Sequence, residues 1–329
     1  MKQLKNVLYN GEDANRELTE LCDCYAKLKE IPEEERKRLN YELDLIKKWG
    51  IAKVFLFGYD LSLSEGFGTT LVIEGNSYVN YLLGISNINP VKYNLPFERL
   101  FNEYRICLLS YCFYVEKSRK GKMLKRLYEK YGKSTIVRAS DNKCMYFISN
   151  NPFESKFIKE SIIVANQNEE AYEETISCLT CEELNKLNYY NFSILEAEDI
   201  SSSGEDEFTE DIIYEKAKEL FSYKIPDTPS FTEISDVNEI LKDTEFKLIY
   251  QEQLMEIFNK ICGFDMAKAD YLRREIAKAK RGTTQEVKEI LSNKYGEKGQ
   301  TLFDYLIKVG RYTVSKAYVL ANLHVLIEY

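Results

Sequence analysis

Apolar positions recur with a helical period near both ends of the chain, and with a shorter, strand-like rhythm between. From Glu12 to Gly50 the period predicts two helices broken at Ile31-Pro32. The second carries Leu39, Leu43, Leu45 and Ile46 on one side among charges, and Gly50 suits its C-terminal stop. Ala52 to Gly58 and Thr69 to Glu74 are short, apolar and rich in β-branched or aromatic residues, which predicts strands. Tyr78 to Ile85 reads as a buried helix, followed by a loop from Asn87 to Asn94. Arg105 to Val115 reads as a strand, and Lys117 to Tyr131 as a helix with Met123, Leu124, Leu127, Tyr128 and Tyr131 at helical offsets. Further strands are predicted near Thr135 to Arg138, Cys144 to Ser149 and Tyr189 to Leu195. Ser201 to Glu207 is polar and acidic, a linker. Beyond it helices are expected at Glu210 to Phe221, Glu233 to Leu241, Phe246 to Cys262 and Ala267 to Lys280, with three more to the end. Asp265 and Thr283-Thr284 stand where N-caps belong. The expected fold is an α/β (α+β) domain over residues 1–200 and an all-helical domain over 201–329.

Composition narrows the class without choosing a function. At 329 residues, 44% hydrophobic and 30% charged, the chain has the profile of a globular protein of one large or two ordinary domains. No apolar run of about 18 residues is present and the N-terminus lacks the apolar core of a signal peptide, so no membrane association and a cytoplasmic location are expected. The net charge of −8 argues against a general affinity for nucleic acid. It is unevenly spread. Lys117, Arg119, Lys120, Lys122, Lys125, Arg126, Lys130 and Lys133 crowd one stretch with Glu129 the only acid inside it, whereas Glu196 to Asp211 is strongly acidic. A local basic face of that kind can meet a phosphate backbone, or simply be a solvated helix surface.

The eight cysteines include one CxxC, Cys178-Leu-Thr-Cys181. A zinc site would need two more ligands, and the sole histidine, His324, lies far off in an apolar run. Reduced thiols are expected. His324, in the helix-like run Leu320 to Ile327, is expected to pack rather than to catalyse, so histidine-based nucleophile pairs have no obvious place.

The stretch Tyr81-Leu-Leu-Gly-Ile-Ser-Asn-Ile-Asn-Pro-Val-Lys-Tyr-Asn-Leu-Pro-Phe-Glu-Arg-Leu-Phe-Asn102 resembles the palm of the bacterial DNA polymerase III α subunit, the C family. That family reads YLLGIT-[ND]-[IV]-DP-LKY-x-LLFERFLNPER, then the catalytic run PDIDIDF. Here Phe97-Glu98-Arg99, Asn102 and Arg105 are kept, but Leu109-Ser110-Tyr111-Cys112-Phe113-Tyr114 follows, with no aspartate. Tyr250 to Arg274 is similar to the family's fingers text, YQEQVMQIA-x-x-x-AGF-x-x-x-x-AD-x-LRR, with order and offsets kept throughout. The family's third carboxylate lies in KFDFLGL, whose best match is Tyr189 to Leu195, with Asn191 at the acid position. Of the phosphate-cradling GRGSAAGS loop only Ser77 holds its place, and of FAGYGFNKSHAAAYA only Tyr312 and Lys316.

The resemblance implies a palm-like part followed by a fingers-like part, with most of the thumb and a palm–fingers segment lost. In the family, magnesium bound by carboxylates bridges the triphosphate and activates the primer hydroxyl. Ser110, Cys112 and Asn191 occupy those carboxylate positions here, so no metal cofactor and no polymerase activity are expected. Arg273 and Arg274, extended by Lys278, Lys280 and Lys316, take the family's place near a triphosphate, with Ser77 a weaker phosphate contact. Their alternative is local ion pairing with Asp270 and Glu275. Asp60, Glu65 and Glu74 are the carboxylates from which a rebuilt metal site would have to come. Three functions stay open: an inactive scaffold that binds or regulates a protein partner such as the replication machinery; a binder of DNA or nucleotide phosphates, with weak DNA contacts through Lys117, Arg119, Lys120, Lys122, Lys125 and Arg126; and, third, a polymerase with altered chemistry.

Overall fold

A computed structural model describes residues 12–63, 73–104, 111–149, 151–164, 172–187, 189–197, 199–202, 208–222, 225, 228–278 and 284–328. They belong to two compact units. The first is built from residues 1–91, 108–203 and 325–329, the second from 92–107 and 204–324. The mixed α/β architecture of the N-terminal part and the almost wholly helical C-terminal part are both present.

In the first unit, helices α1 (Glu12–Leu28) and α2 (Glu33–Trp49) meet at the Ile31-Pro32 break. Gly50 ends α2 at φ 65°, a left-handed turn that costs a residue without Cβ nothing. The stripe on α2 buries Leu39 and Ile46, and between them, against expectation, Glu42. Ala52 to Gly58 is not a strand but the start of α3 (Ala52–Ser62). Its residues Val54, Phe55, Leu56, Phe57 and Leu61 are buried, and a helix apolar on every side shows no period by which to tell it from a strand. Residues 69–72 of the next expected strand lie outside the described residues, and Ile73–Asn76 forms a short 3₁₀ turn before α4 (Tyr78–Leu82).

A six-stranded sheet follows, in the order β1-β6-β3-β2-β5-β4. Its strands are β1 (Cys112–Glu116), β2 (Ile136–Arg138), β3 (Met145–Ile148), β4 (Ile158–Val164), β5 (Tyr172–Ser177) and β6 (Tyr190–Ala197). Helices α5 (Lys120–Tyr131) and α6 (Cys181–Lys186) lie between them in the chain. The pairs β1–β6 and β2–β5 are parallel, the rest antiparallel. Phe57 of α3 packs edge-on against Tyr190 and Phe192 at 5.5 and 5.1 Å, seating the helix on β6. Beside the sheet, β7 (Asp199–Ser202) pairs antiparallel with β8 (Val325–Glu328). The expected linker therefore begins as a strand, and the apolar run around His324 ends in one.

The second unit contains α7 (Glu210–Leu220), α8 (Ser235–Leu241), α9 (Gln251–Glu256), α10 (Met266–Ala277), α11 (Gln285–Tyr295), α12 (Glu297–Val309) and α13 (Lys316–His324). The helix expected from Phe246 begins only at Gln251, because Glu245 and Phe246 take positive φ angles, 54° and 60°. It runs on through a π-helical turn, Ile257–Ile261. Asp265 caps α10 by accepting from the Lys268 amide at 2.8 Å, whereas Thr284 precedes α11 without a side-chain cap. Leu254, Met255, Ile257, Phe258, Leu272, Leu291, Leu302 and Leu306 form the core of this unit.

Candidate functional site

The first unit places Cys112 and Asn191 on one face of the sheet. Cys112 stands opposite Ser193 in the parallel β1–β6 pair, and Ser193 stands opposite Met145 of β3. Asn191 lies two residues back along β6, hence on the same face. Cys112, Met145, Asn191 and Ser193 are half-buried, while the alternate residues Phe113, Phe192 and Ile194 face the core. The Ser193 amide donates to the Tyr111 carbonyl at 2.8 Å, its hydroxyl donates to Met145 Sδ at 3.5 Å, and Asn191 Nδ2 donates to Asn185 Oδ1 at 2.8 Å. This row is thiol, hydroxyl, thioether and amide. None of these supplies the anionic oxygen that a hard divalent cation requires. Among the described residues, no group of three or more histidine, cysteine or acidic side chains is placed to hold a metal. Ser110 lies outside them.

Asp60 accepts from Lys130 and from the Tyr131 hydroxyl, so its carboxylate is tied to α5. Glu65 and the Glu74 side chain lie outside the described residues. Cys178 is exposed and Cys181 half-buried, both free thiols.

Ser77 is not presented to a ligand. It is fully buried at the start of α4, where its hydroxyl donates to Glu42 Oε2 at 2.7 Å and accepts from the Asn80 amide at 3.3 Å. Glu42 also accepts from the amides of Tyr78 (2.8 Å) and Val79 (3.1 Å) and from Arg38 Nε (2.6 Å). Ser77, which the resemblance assigned to phosphate, and the two amides after it are thus engaged by a carboxylate of the chain itself. Burial outweighs the other causes and raises the Glu42 pKa, while Arg38, the Tyr78 amide and the Ser77 hydroxyl pull it back down. All four donors address an ionised group. Glu42 was concealed in the sequence, one more acid in a charged helix; only the stripe from Leu39 to Ile46 hinted that its side faces inward.

The basic stretch divides. Lys120 is buried, with its ammonium 2.6 Å from Glu196 and 3.3 Å from Glu174, and Glu174 also binds Arg138 at 3.0 Å. It is a structural cation, and its place on the expected DNA-facing surface is corrected. Arg119 pairs with Glu116 at 2.8 Å, and Arg126 donates to the Leu63 carbonyl at 3.3 Å. Lys117, Lys122 and Lys125 are exposed.

In the second unit, α10 brings Arg273 and Arg274 onto the fully buried Asp270. Asp270 Oδ1 accepts from Arg273 Nε and Nη2 at 3.0 and 2.7 Å, and Oδ2 from Arg274 Nε at 2.6 Å and Asn102 Nδ2 at 2.9 Å. Arg99, also buried, donates to Gln251 Oε1 at 2.9 Å. Burial, with Arg273 nearby, draws the Arg99 pKa down to about 10 against the pull of Glu252 and Asp270. Three guanidinium groups and two buried carboxylates, Asp270 and Glu252, therefore act on one another here. The local ion pairing with Asp270 expected as an alternative is present. Lys278 is exposed, 3.9 Å from Glu275, and Lys316 pairs with Glu210 at 2.5 Å. Lys280 lies outside the described residues. His324 is buried, edge-on to Phe208 at 4.8 Å, a packed position.

Comparison with known proteins agrees with this geometry. The family model for the bacterial DNA polymerase III alpha NTPase domain matches residues 11–147, and that for the bacterial DNA polymerase III alpha subunit finger domain matches 204–299. The DNA polymerase III subunit alpha of a Staphylococcus aureus strain is 36% identical over 101 residues, 29% of this chain and 10% of that protein. The subunit of the same name from Staphylococcus epidermidis is 36% identical over 104 residues, 30% of this chain and 10% of its own length. The matched stretch thus spans about a tenth of these relatives. Two matched domains, in the family's order and together covering more than half of the chain, show that it belongs to the bacterial DNA polymerase III α-subunit family.

Proposed function

We propose that this chain is a catalytically silent relative of the polymerase, a palm-and-fingers scaffold that acts as a binding or regulatory module in DNA replication or repair. The neutral row of Cys112, Asn191 and Ser193 on the β1–β6 face carries this proposal. Cys112 and Asn191 offer a thiol and an amide where the family's chemistry needs carboxylates, and a metal held there would lack its charge-balancing ligands. Glu42 adds to it by occupying the donors beside Ser77. A protein partner of the replication machinery fits a scaffold that keeps its shape and loses its chemistry.

A second function rests on the arginine cluster. Arg273 and Arg274 share Asp270 with Arg99 nearby, and Lys278 is exposed at the C-terminal cap of the same helix, residues of a kind suited to nucleotide or DNA phosphates. Primer extension with magnesium or manganese, run beside a salt titration of binding to the same primer–template, tests both. No extension is expected. Binding that weakens steeply with salt, and weakens further in Arg274→Ala with Lys278→Ala, supports the phosphate-binding function. Binding absent at every salt concentration leaves the protein-partner function. Template-directed extension overturns the silent scaffold.

A further inference from the structure

A stripe along α10 stays accessible. Ala267, Tyr271, Arg274 and Lys278 recur every three or four positions and are half-buried or exposed, while Asp270, Arg273 and Glu275 between them are buried. The ring of Tyr104, in the same unit, stacks on that of Tyr271, with centroids 5.1 Å apart and planes at 28°. Tyr104 is nevertheless 49% exposed. One face of its ring is covered by Tyr271, so the exposure lies on the other side.

That open ring is held in place from both ends of the stack. Asn102 is buried, and its Oδ1 accepts from the Tyr104 amide at 3.0 Å. Its Nδ2 donates to the Glu98 carbonyl at 2.7 Å and to Asp270 Oδ2 at 2.9 Å. One side-chain amide thus ties the segment that carries Tyr104 to α10. Tyr271, beneath it, packs against the core of the second unit. A ring fixed in this way loses little freedom when a ligand covers it, which is the condition for tight stacking.

The rest of the stripe says what belongs on the ring. Arg274 and Lys278 follow Tyr271 at one and two turns, within about 10 Å along the helix axis. The acids of this part of α10, Asp270 and Glu275, are buried. Glu103 is exposed beside Tyr104 and repels an anion at that end, so a negative group belongs toward Arg274 and Lys278. A flat ring joined to an anion on one side only is the repeating unit of a nucleic-acid strand. In a duplex the faces of the bases are taken up by their own stack; in a single strand they are open. We propose that the free face of Tyr104 stacks an unpaired nucleobase of a single strand whose phosphates run toward Arg274 and Lys278. The inference rests on the phosphate-binding function proposed for α10, and adds to it a dependence on unpaired bases that phosphate contacts alone do not confer.

Anisotropy titrations of the full chain with labelled strands test it: a single strand of about 12 thymidines and an abasic strand of the same length. At low salt the thymidine strand is expected to bind about tenfold more tightly than the abasic one. Tyr104→Leu, at an exposed position, is expected to bring the thymidine strand down to the abasic affinity, while binding of the abasic strand and of a duplex stays unchanged. Tyr104→Phe keeps the ring and is expected to keep the preference. Salt-dependent binding that is equal for the thymidine and abasic strands overturns the stacking and leaves the phosphate contact standing. A preference that survives Tyr104→Leu overturns it in the same way. No saturable binding of either strand up to about 100 µM protein overturns the phosphate contact and the stacking together.

Discussion

Replacing Glu42 by glutamine changes one oxygen into an amino group and nothing in shape, and the structure says that this small change is expensive. The carboxylate is fully buried and accepts from four donors: Arg38 Nε and the Tyr78 amide on Oε1, the Ser77 hydroxyl and the Val79 amide on Oε2. A glutamine can satisfy the donors on one side only. On the other, its NH₂ faces two N–H or O–H groups, and each buried donor left unpaired costs about 1–3 kcal/mol. Arg38 loses its counter-charge as well. Its side chain is 19% exposed and still donates to the Asn76 carbonyl at 2.9 Å, so that loss lies below the ~3–5 kcal/mol of a fully buried pair. About 3 kcal/mol in all is expected for Glu42→Gln, and ~4–5 kcal/mol for Glu42→Ala, which pairs none of the four. Trp49, the sole tryptophan, ends the helix that carries Glu42, so its fluorescence in a urea titration reports on this unit. In an Arg38→Met background, Glu42→Gln should cost at least ~1 kcal/mol less than it does alone. A change under ~1 kcal/mol in the single variant, or strict additivity in the double, would refute the account of Glu42 as an ionised internal anion.

Gly299→Ala should destabilise the second unit by about 3 kcal/mol, because the new Cβ would stand 1.9 Å from the Leu291 carbonyl oxygen, a backbone atom unable to yield. A chemical-denaturation midpoint equal to that of the parent would contradict the close approach of α11 and α12. Maleimide at neutral pH should label the exposed Cys24 and Cys178 quickly, and the buried Cys22 and Cys262 only after unfolding; equal rates for Cys22 and Cys24 would sink this assignment. Burial pushes both buried thiols from 9.0 up to about 12. A raised folded-state pKa means that the contribution is whole below pH 9.0 and is lost as pH rises toward 12, by up to ~1.4 kcal/mol per unit for each thiol. Replacing both by alanine should flatten that alkaline decline, measured as unfolding free energy against pH.

How much of this could be read from the chain depends on whether the deciding contacts are local. The helices of the second unit were legible because their caps and stripes lie within a few residues of one another, Asp265 before α10 being the clearest. Strand β8 was not. Val325–Glu328 continues a helical apolar pattern and becomes a strand only by pairing with Asp199–Ser202, far away in the chain. Strands β4 and β5 were missed for a different reason. Glu160 and Glu174 make them look like solvated segments, yet Glu174 is buried on Lys120 and Arg138. Helix α3 misled because burial on all sides erases the amphipathic period.

The candidate site divides along the same line. What Cys112 and Asn191 lack could be read by position against the family's text, and the sheet adds that they share one face. What replaced the lost chemistry could not be read. A carboxylate entering the donors beside Ser77 from α2 is a tertiary event, made by a residue more than thirty positions away. It also gives this buried helix start an internal partner. Amides and hydroxyls at a buried helix start must be paired by something, or each is left orphaned. An internal anion fills that need within the chain itself. The arginine cluster is paired differently: Asp270 holds both Arg273 and Arg274 from within their own helix. The variants Arg274→Ala and Glu42→Ala test the proposed phosphate contact on α10 against the internal anion at Ser77: only the first should alter salt-dependent binding, only the second the stability of the first unit.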